Sequence, residues 1–517
     1  MQWPTHYPIL NAQYFLSLDE SLRGGDSNDD LSPASKSLHD IFVGVDVWGR
    51  GCHGGGGFGS YKAISHVDPQ STGLSVALFG QAWTWESEQD KPGWTWESWW
   101  DYERKLWTGS KTEAIHVPEV PPRKGEPECL HGPFLPISSF FTRNHPPNPK
   151  DLAFHTTFCP GVGRSWFVQG RKVLQTENGW TDIDKQCSVG DLLWPSPSLA
   201  WEGEEWVDDL PWASSCICLD DSWNGGSCVR LKVSSPGSTE ENAHFRCIWL
   251  PVQSLAITLG QEYEARAVYK IESNAETDVD LGLSVKVLSG LTGHSMHITD
   301  VISHEDLPGG WTQLAIRFSL TADPEELVTT SLDISVAIGL ITGIAPDDPA
   351  KPFAFSILLG QLNVFPSTPP GVATHISFMA WADFQHTPPD TSDRRVSGIL
   401  TWDTVITLAP LTTIGVISPE DPVPVWKLGI SDHYFPTFLY CNIYAQVHSP
   451  DGHVAGPENA LWIGTTGLDG RDGRFAVNLP VSSEAGEAKA VRLYIQGVND
   501  RGEVLPWNQC VFVDIEV

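Results

Sequence analysis

The sequence predicts a multidomain chain in which part of a (β/α)8 TIM barrel precedes two all-β sandwich domains. The chain has 517 residues, which is too long for a single hydrophobic core. Before about residue 180, short apolar segments run into glycine turns and helical patterns, as in βα units. After it, short alternating segments separated by turn residues indicate antiparallel sheets. We therefore predict domains at residues 1–180, 181–368 and 369–517.

The first βα unit begins with the sequence FVGVDVWGRG, which starts at Phe42. Side chains alternate along a strand, so Val43 and Val45 share one face, whereas Asp46 and Trp48 share the other. A strand that is β-branched on one face and polar on the other fits a barrel, where functional groups lie at the C-terminal strand ends. We expect Asp46 and Trp48 to point into the barrel mouth.

Six glycines follow Trp48 in residues 49–57. Their spacing matches neither the dinucleotide-binding fingerprint nor the Walker phosphate loop. We expect them to form a sharp turn with positive φ angles that leads into the helix SYKAISHV.

The segment LSVALFG, residues 74–80, predicts the next strand. If the chain stays extended beyond it, Gln81 and Trp83 face the same mouth and Trp85 faces away. Glu86 either reaches a ligand from this exit loop or belongs to a solvated turn.

Two further patterns follow in this part of the chain. Tryptophans recur at helical spacing in TWESWWDYERKLW, residues 95–107, which predicts a helix with an aromatic core stripe. DLAFHTTFCPGVGRSWFVQG, residues 151–170, predicts a third βα-type strand and its turn.

The region of residues 181–368 reads as a jelly-roll or carbohydrate-binding-like sandwich, built from segments such as YEARAVYKI and LDISVAIGLI. A proline-rich link at residues 366–374 leads to the last strand series. There LTWD and LYIQGVNDRGE resemble the early and late strands of a fibronectin type III or immunoglobulin-like domain.

The charge excludes two classes of partner. Lys and Arg total 32 against 64 for Asp and Glu, and the formal net charge of -32 would repel nucleic acid and anionic membrane. Neither an apolar span nor an export signal is visible, and ten scattered cysteines suit free thiols. We expect a cytosolic protein.

No cofactor or metal is expected. His53 and His155 lack companion ligands at a useful spacing, so structural or surface roles are favoured. The turn LDDSWNGGS, with Asp220, Asp221 and Asn224, is equally compatible with a calcium ligand set and with a simple Asx turn.

The strings IFVGVDVWGRG, GGGGF, LSVALFGQAWTWE, FHTTFCPGVG and WFVQG together resemble glycoside hydrolase family 85, the cytosolic-type endo-β-N-acetylglucosaminidases. The resemblance covers residues 1 to about 190. It implies that the chain carries the C-terminal portion of the barrel and acts on N-linked high-mannose glycans or glycoproteins. It also implies hydrolysis of their GlcNAc-β-1,4-GlcNAc core.

The implied mechanism is substrate-assisted and retaining: an asparagine orients the 2-acetamido group and a glutamate two residues later is the acid/base. The resemblance places this Asn-x-Glu pair upstream of Met1, so the catalytic residues are unknown here and the natural polypeptide is expected to be longer. Of the family's fifth-strand exit, only Trp3 is expected to remain. Asn274-Ala275-Glu276 has the right spacing but falls in the sandwich region, and Asp46 with Glu86 is another conceivable carboxylate pair.

The expected sugar contacts are Trp48, Asp46, Gln81, Trp83, Arg50, Glu86 and Trp3. In the family comparison Trp48 stands at the exit of the sixth strand, where it stacks on a sugar; otherwise it packs at the barrel top. Asp46 either accepts sugar hydroxyls or pairs with Arg50. The alternative function is a catalytically inactive glycan-binding remnant, and a structural or interaction module is a third possibility.

Overall fold

The computed structural model divides by internal contacts into two units, residues 1–144 with 194–196 and residues 145–193 with 197–517. The described residues are 6–18, 36–117, 129–141, 146–202, 210–239, 244–273, 277–288, 294–322, 333–368, 377–387, 395–406, 411–416, 424–428, 436–448, 455–468, 473–480 and 490–516. No helix among these ranges is long and apolar enough to cross a membrane.

The first unit contains one parallel strand pair flanked by short helices. Its elements are α1 (Tyr7–Leu16), β1 (Phe42–Asp46), α2 (Ser60–Val67), α3 (Pro69–Thr72), β2 (Ser75–Phe79), α4 (Trp83–Glu88) and α5 (Trp96–Trp107). β1 and β2 pair in parallel with Asp46 opposite Phe79, so both strands end at the same edge. The two predicted strands and the helices after them are confirmed.

The valine face of β1 forms the core of this unit. Val45 and Val47 are fully buried with Ala63 and Ile64 of α2 and Leu106 of α5. Burial of such side chains typically contributes about 1.5–3 kcal/mol each, which fixes α2 and α5 against one side of β1. The opposite face is therefore left for Trp48 and its neighbours.

Helix α5 begins where its sequence predicts. The Thr95 hydroxyl accepts from the Ser98 backbone N–H at 3.1 Å and the Ser98 hydroxyl accepts from the Thr95 N–H at 2.9 Å, a reciprocal N-terminal cap. Trp99 and Leu106 are buried, so the predicted core stripe is confirmed at its centre.

The second unit consists of antiparallel strands. In chain order they are β3 (Phe154–Thr156), β4 (Pro160–Val168), β5 (Arg171–Gln186), β6 (Ala200–Trp201), β7 (Trp212–Cys218), β8 (Cys228–Ser235), β9 (Arg246–Thr258), β10 (Glu262–Ser273), β11 (Thr277–Val287), β12 (His294–Leu307), β13 (Trp311–Ala322), β14 (Asp333–Pro346), β15 (Phe353–Pro366), β16 (Ser377–His386), β17 (Arg395–Ile406), β18 (Leu411–Val416), β19 (Pro424–Leu428), β20 (Phe438–Val447), β21 (Leu461–Thr465), β22 (Arg474–Pro480), β23 (Ala490–Asn499) and β24 (Val511–Glu516).

These strands form two pairs of larger sheets. The first pair has the orders β12-β13-β10-β15-β8-β7, with β3 added beside β15, and β11-β14-β9-β6. The second pair has the orders β16-β17-β22 and β21-β20-β23-β24, and one hydrophobic cluster that includes Leu400, Ile443 and Leu493 joins both of its sheets. The chain is thus a multidomain, β-rich protein.

The prediction of a third βα-type strand is wrong. Residues 154–156 pair antiparallel with β15, and β4 and β5 form an antiparallel hairpin of their own. The contact division accordingly places residues 145–193 with the sheets of the second unit, whereas the sequence pattern suggested a first domain up to residue 180. Local alternation could not reveal this, because the partner strand lies about 200 residues further along the chain.

Candidate functional site

Asp46 organises the exit of β1. Its Oδ1 accepts from the Trp48 backbone N–H at 2.9 Å, and its Oδ2 accepts from Arg50 Nε at 2.9 Å. The Asp46 N–H in turn donates to Cys52 Sγ at 3.0 Å. The carboxylate side chain is 16% exposed and the Arg50 side chain 64% exposed, so the turn presents the guanidinium to solvent. Of the two roles expected for Asp46, pairing with Arg50 is observed.

Trp48 lies between the ends of the two parallel strands. Its indole Nε1 donates to Glu86 Oε2 at 3.1 Å, and the residue is 39% exposed. Gly80, at φ +75°, follows β2, and a Cβ there would stand 2.6 Å from Trp48 Cδ1. Close contact with this glycine and the bond to Glu86 fix the ring while leaving part of it open to solvent.

The glycine turn holds the other flank of Trp48. The Gly57 N–H donates to the Val47 carbonyl at 2.6 Å, and the Gly49 N–H donates to the Asp46 carbonyl at 2.9 Å. A Cβ on Gly56 would lie 2.4 Å from the Val47 carbonyl oxygen. The expectation of a tight, positive-φ turn is confirmed, and the turn packs directly against the backbone that carries Trp48.

The predicted orientation of Trp83 is wrong. Strand β2 ends at Phe79 and α4 begins at Trp83, so the extended parity does not continue through the exit loop. The Trp83 ring stacks on Tyr102 at a centroid distance of 5.5 Å and meets Phe58 edge-on at 5.9 Å. It belongs to the packed side of β1, while Gln81 is exposed in the turn before it.

The structure brings some of the other predicted sugar contacts together and does not describe the rest. Glu86 and Asp46 both accept from Trp48, so these three residues and Arg50 form one hydrogen-bonded group, hereafter the strand-end group. Trp3 and Asn274-Ala275-Glu276 lie outside the described residues. In sequence, the latter three stand between β10 and β11.

A buried carboxyl escaped the sequence analysis. Glu103 of α5 accepts a hydrogen bond from the Thr84 hydroxyl, and burial raises the pKa of its carboxyl to about 7. In the sequence, the only sign that Glu103 would be buried is its spacing of four residues from both Trp99 and Trp107, which puts all three on one face of the helix.

The expectation that His53 lacks companion ligands is wrong. Ligand atoms of His53, His66, Cys129 and His131 all lie within 4.8 Å of one another. His155, by contrast, is half-buried on β3 beside β15, where its Nδ1 lies 2.6 Å from Asn363 Nδ2, and desolvation of the ring lowers its pKa to about 4. The structural role expected for His155 agrees with this position.

The turn LDDSWNGGS makes protein contacts. Asp221 accepts from Lys270 Nζ at 3.0 Å, and Asn224 accepts from the Gln169 N–H at 2.9 Å while donating to Gln361 at 3.1 Å. Asp220 Oδ1 lies 3.7 Å from Arg164 Nη1, so all three oxygen-bearing side chains already have partners, which favours the turn over the calcium alternative.

Comparison with known proteins bears on the first unit and the start of the second. Residues 5–166 match the family model of glycosyl hydrolase family 85. The match contains β1, β2 and the whole strand-end group, and it confirms the resemblance carried by the quoted sequence strings.

Individual proteins with similar sequences were found as well. The cytosolic endo-beta-N-acetylglucosaminidase of Mus musculus is 24% identical over 293 residues, covering 55% of this chain and 32% of that protein. The Homo sapiens protein of the same name is 24% identical over 357 residues, covering 65% and 39%. The chain thus spans about a third of the length of these relatives.

Solved structures also match, and one of them is a glycoside hydrolase domain. The glycoside hydrolase domain of Endo-D from Streptococcus pneumoniae R6 aligns with 93% of this chain and 58% of that one, at 12% identity and a TM-score of 0.44.

Proposed function

We propose that this chain contributes the sugar-contact surface, formed by the strand-end group, to hydrolysis of the GlcNAc-β-1,4-GlcNAc core of N-linked glycans. One observation carries the proposal. Within the family 85 segment, Trp48 is fixed by Glu86 and Gly80 at the carboxyl ends of two parallel strands, with its ring still partly exposed. Carboxyl ends of parallel strands are where (β/α) barrels place their active sites.

The chemistry of this group suits a sugar. An indole offers a large apolar face for the C–H face of a pyranose ring, and its fixed position lowers the entropic cost of binding. The exposed Arg50 guanidinium and the Glu86 carboxylate can exchange hydrogen bonds with hydroxyl groups at the edge of that ring. We propose high-mannose glycans as ligands and, following the names of the relatives, the cytosol as the compartment.

The reaction we propose is substrate-assisted and retaining, with an Asn-x-Glu pair as its protein component. The family 85 segment of this sequence, residues 5–166, contains no Asn-x-Glu. The single occurrence in the 517 residues is Asn274-Ala275-Glu276, between two strands of the β-rich unit. This favours glycan binding without chemistry as the second candidate function of the chain taken alone.

A release assay separates the two candidates. Incubated with a high-mannose glycopeptide, the purified 517-residue chain should bind the glycan and liberate no oligosaccharide, as measured by mass spectrometry of the glycopeptide. Turnover that survives Glu276→Gln would show that another acid/base is present and would contradict this expectation. Turnover that Glu276→Gln abolishes would assign the acid/base to the β-rich unit.

Replacing Trp48 by alanine should weaken glycan binding. Loss of an aromatic stacking surface costs about 1 kcal/mol or more, which corresponds to roughly a fivefold or larger rise in Kd by isothermal titration calorimetry. Trp212→Ala is the matched control, because Trp212 is 65% exposed on a strand of the second unit. Equal affinities for the two variants would assign Trp48 to packing alone.

A further inference from the structure

We infer that His53, His66, Cys129 and His131 form a zinc site in the first unit. Three imidazoles and one thiol converge from three separate segments, and their ligand atoms lie within 4.8 Å of one another. His53 begins the tight turn His53–Gly55, His66 lies on α2, and Cys129 and His131 stand two residues apart after α5. Such a donor set, nitrogen with one sulfur, is the set that Zn²⁺ prefers among common cellular cations.

The three rings surround a common point. Their centroids are separated by 4.8 Å for His53 and His66, 5.0 Å for His53 and His131, and 5.0 Å for His66 and His131. The Nε2 atoms of His53 and His131 are 2.8 Å apart. In a tetrahedral zinc site with Zn–N bonds of about 2.0–2.1 Å, neighbouring nitrogens lie roughly 3.3 Å apart, so small side-chain rotations suffice to admit the ion.

A second observation points to a ligand. His66 Nε2 is buried and has no hydrogen-bond partner among the described residues. A buried nitrogen without a partner costs free energy, so such groups normally find protein, water or ion partners. A cation at the common point satisfies His66 Nε2 and replaces the close approach of the His53 and His131 nitrogens with two bonds.

The four ligands close the coordination sphere, which indicates a structural rather than a catalytic ion. Such an ion would tie the glycine turn, α2 and the segment after residue 129 together. The Tyr61 hydroxyl already donates to the Gly132 carbonyl at 3.1 Å, so this segment is held beside α2 by a neighbouring bond as well. Since His53 lies five residues after Trp48, the ion would also restrain the turn that carries the strand-end group.

Metal analysis of the full chain, purified without a histidine tag, tests the site. We expect about one zinc per chain by inductively coupled plasma mass spectrometry, as for other closed four-ligand sites. Replacement by Co²⁺ should give tetrahedral d–d absorption and a thiolate-to-cobalt charge-transfer band. That band requires the Cys129 sulfur and should vanish in Cys129→Ser.

Paired variants distinguish the site from adventitious binding. Cys129→Ser and His66→Gln should weaken zinc binding by at least the roughly 10- to 100-fold that loss of a mere outer-shell partner costs. Cys247→Ser and the exposed His116→Ala should leave it unchanged. Wild-type protein that binds neither Zn²⁺ nor Co²⁺, or site variants that bind zinc as tightly as the controls, would overturn the assignment. The cobalt spectrum of the wild-type chain decides the matter even if a variant fails to fold.

Discussion

Replacing Gly56 by alanine should destabilise the first unit by about 3–5 kcal/mol, combining a strained positive φ with steric overlap. At Gly56, φ is +76° and the added Cβ would lie 2.3 Å from the Gly49 nitrogen and 2.4 Å from the Val47 carbonyl oxygen. Both neighbours are backbone atoms, so no side-chain rotation relieves the overlap. The turn must open, and with it the Gly57 to Val47 hydrogen bond.

Two glycines in the same unit are matched controls. Gly93 has φ +82° but nothing within 4 Å of an added Cβ, so Gly93→Ala should cost only about 1–2 kcal/mol of backbone strain. Gly44 in β1 has open space and no positive φ, so Gly44→Ala should be near neutral. Hydrogen exchange under denaturant measures each effect locally, in peptides from residues 42–67 for Gly44 and Gly56 and from residues 83–107 for Gly93. Equal losses for Gly56→Ala and Gly93→Ala would disprove the steric account.

The stability of the first unit should fall as pH rises from 5.5 to 8.5. Burial raises the pKa of Glu103 to about 7 from 4.5, so the folded state binds its proton more tightly than the unfolded state does. The free energy of unfolding therefore decreases between the unfolded and folded pKa values and levels off above 7. Over this pH range the decrease should be about 2 kcal/mol.

Glu103→Gln should remove this pH dependence while keeping a side chain that can accept from the Thr84 hydroxyl. At pH 8 the variant should be more stable than the wild type, and at pH 5.5 the difference should shrink. Glu97→Gln on the same helix is the control, because Glu97 is exposed in the first turn, where a negative charge favours the helix. Its loss should lower the free energy of unfolding by only about 0.3–1 kcal/mol, whereas Glu103→Gln should raise it at pH 8. Denaturant unfolding across the pH range would reject the account if Glu103→Gln retained the wild-type slope.

The strand-end group was largely predictable because its members are local. Asp46, Trp48 and Arg50 lie within five residues, and strand alternation alone puts the first two on one face. Glu86 joined them because β2 runs parallel to β1 and ends at the same edge. The alternation of side chains along β1 and the parallel pairing of β1 with β2 together determine this arrangement.

The wrong predictions had two causes. One was a change of backbone conformation directly after a strand, and the other was contact between residues far apart in the sequence. Gly80 turns the chain at positive φ, which ended the alternation on which the orientation of Trp83 depended. β3 was assigned to the barrel because its true partner, β15, carries no local signal of that pairing. The His53 cluster draws ligands from positions 53, 66, 129 and 131, a spacing that matches no short metal motif.

The most direct test of the sugar-contact proposal is the ¹⁹F NMR spectrum of the chain labelled with 5-fluorotryptophan. The resonances of Trp48 and Trp212 are assigned by their loss in the Trp48→Phe and Trp212→Phe variants. On titration with a high-mannose glycan, the Trp48 resonance should shift or broaden because the sugar stacks on its ring, while that of Trp212 should stay in place. Glycan binding that leaves the Trp48 resonance unchanged, or the absence of any binding, would contradict the proposal.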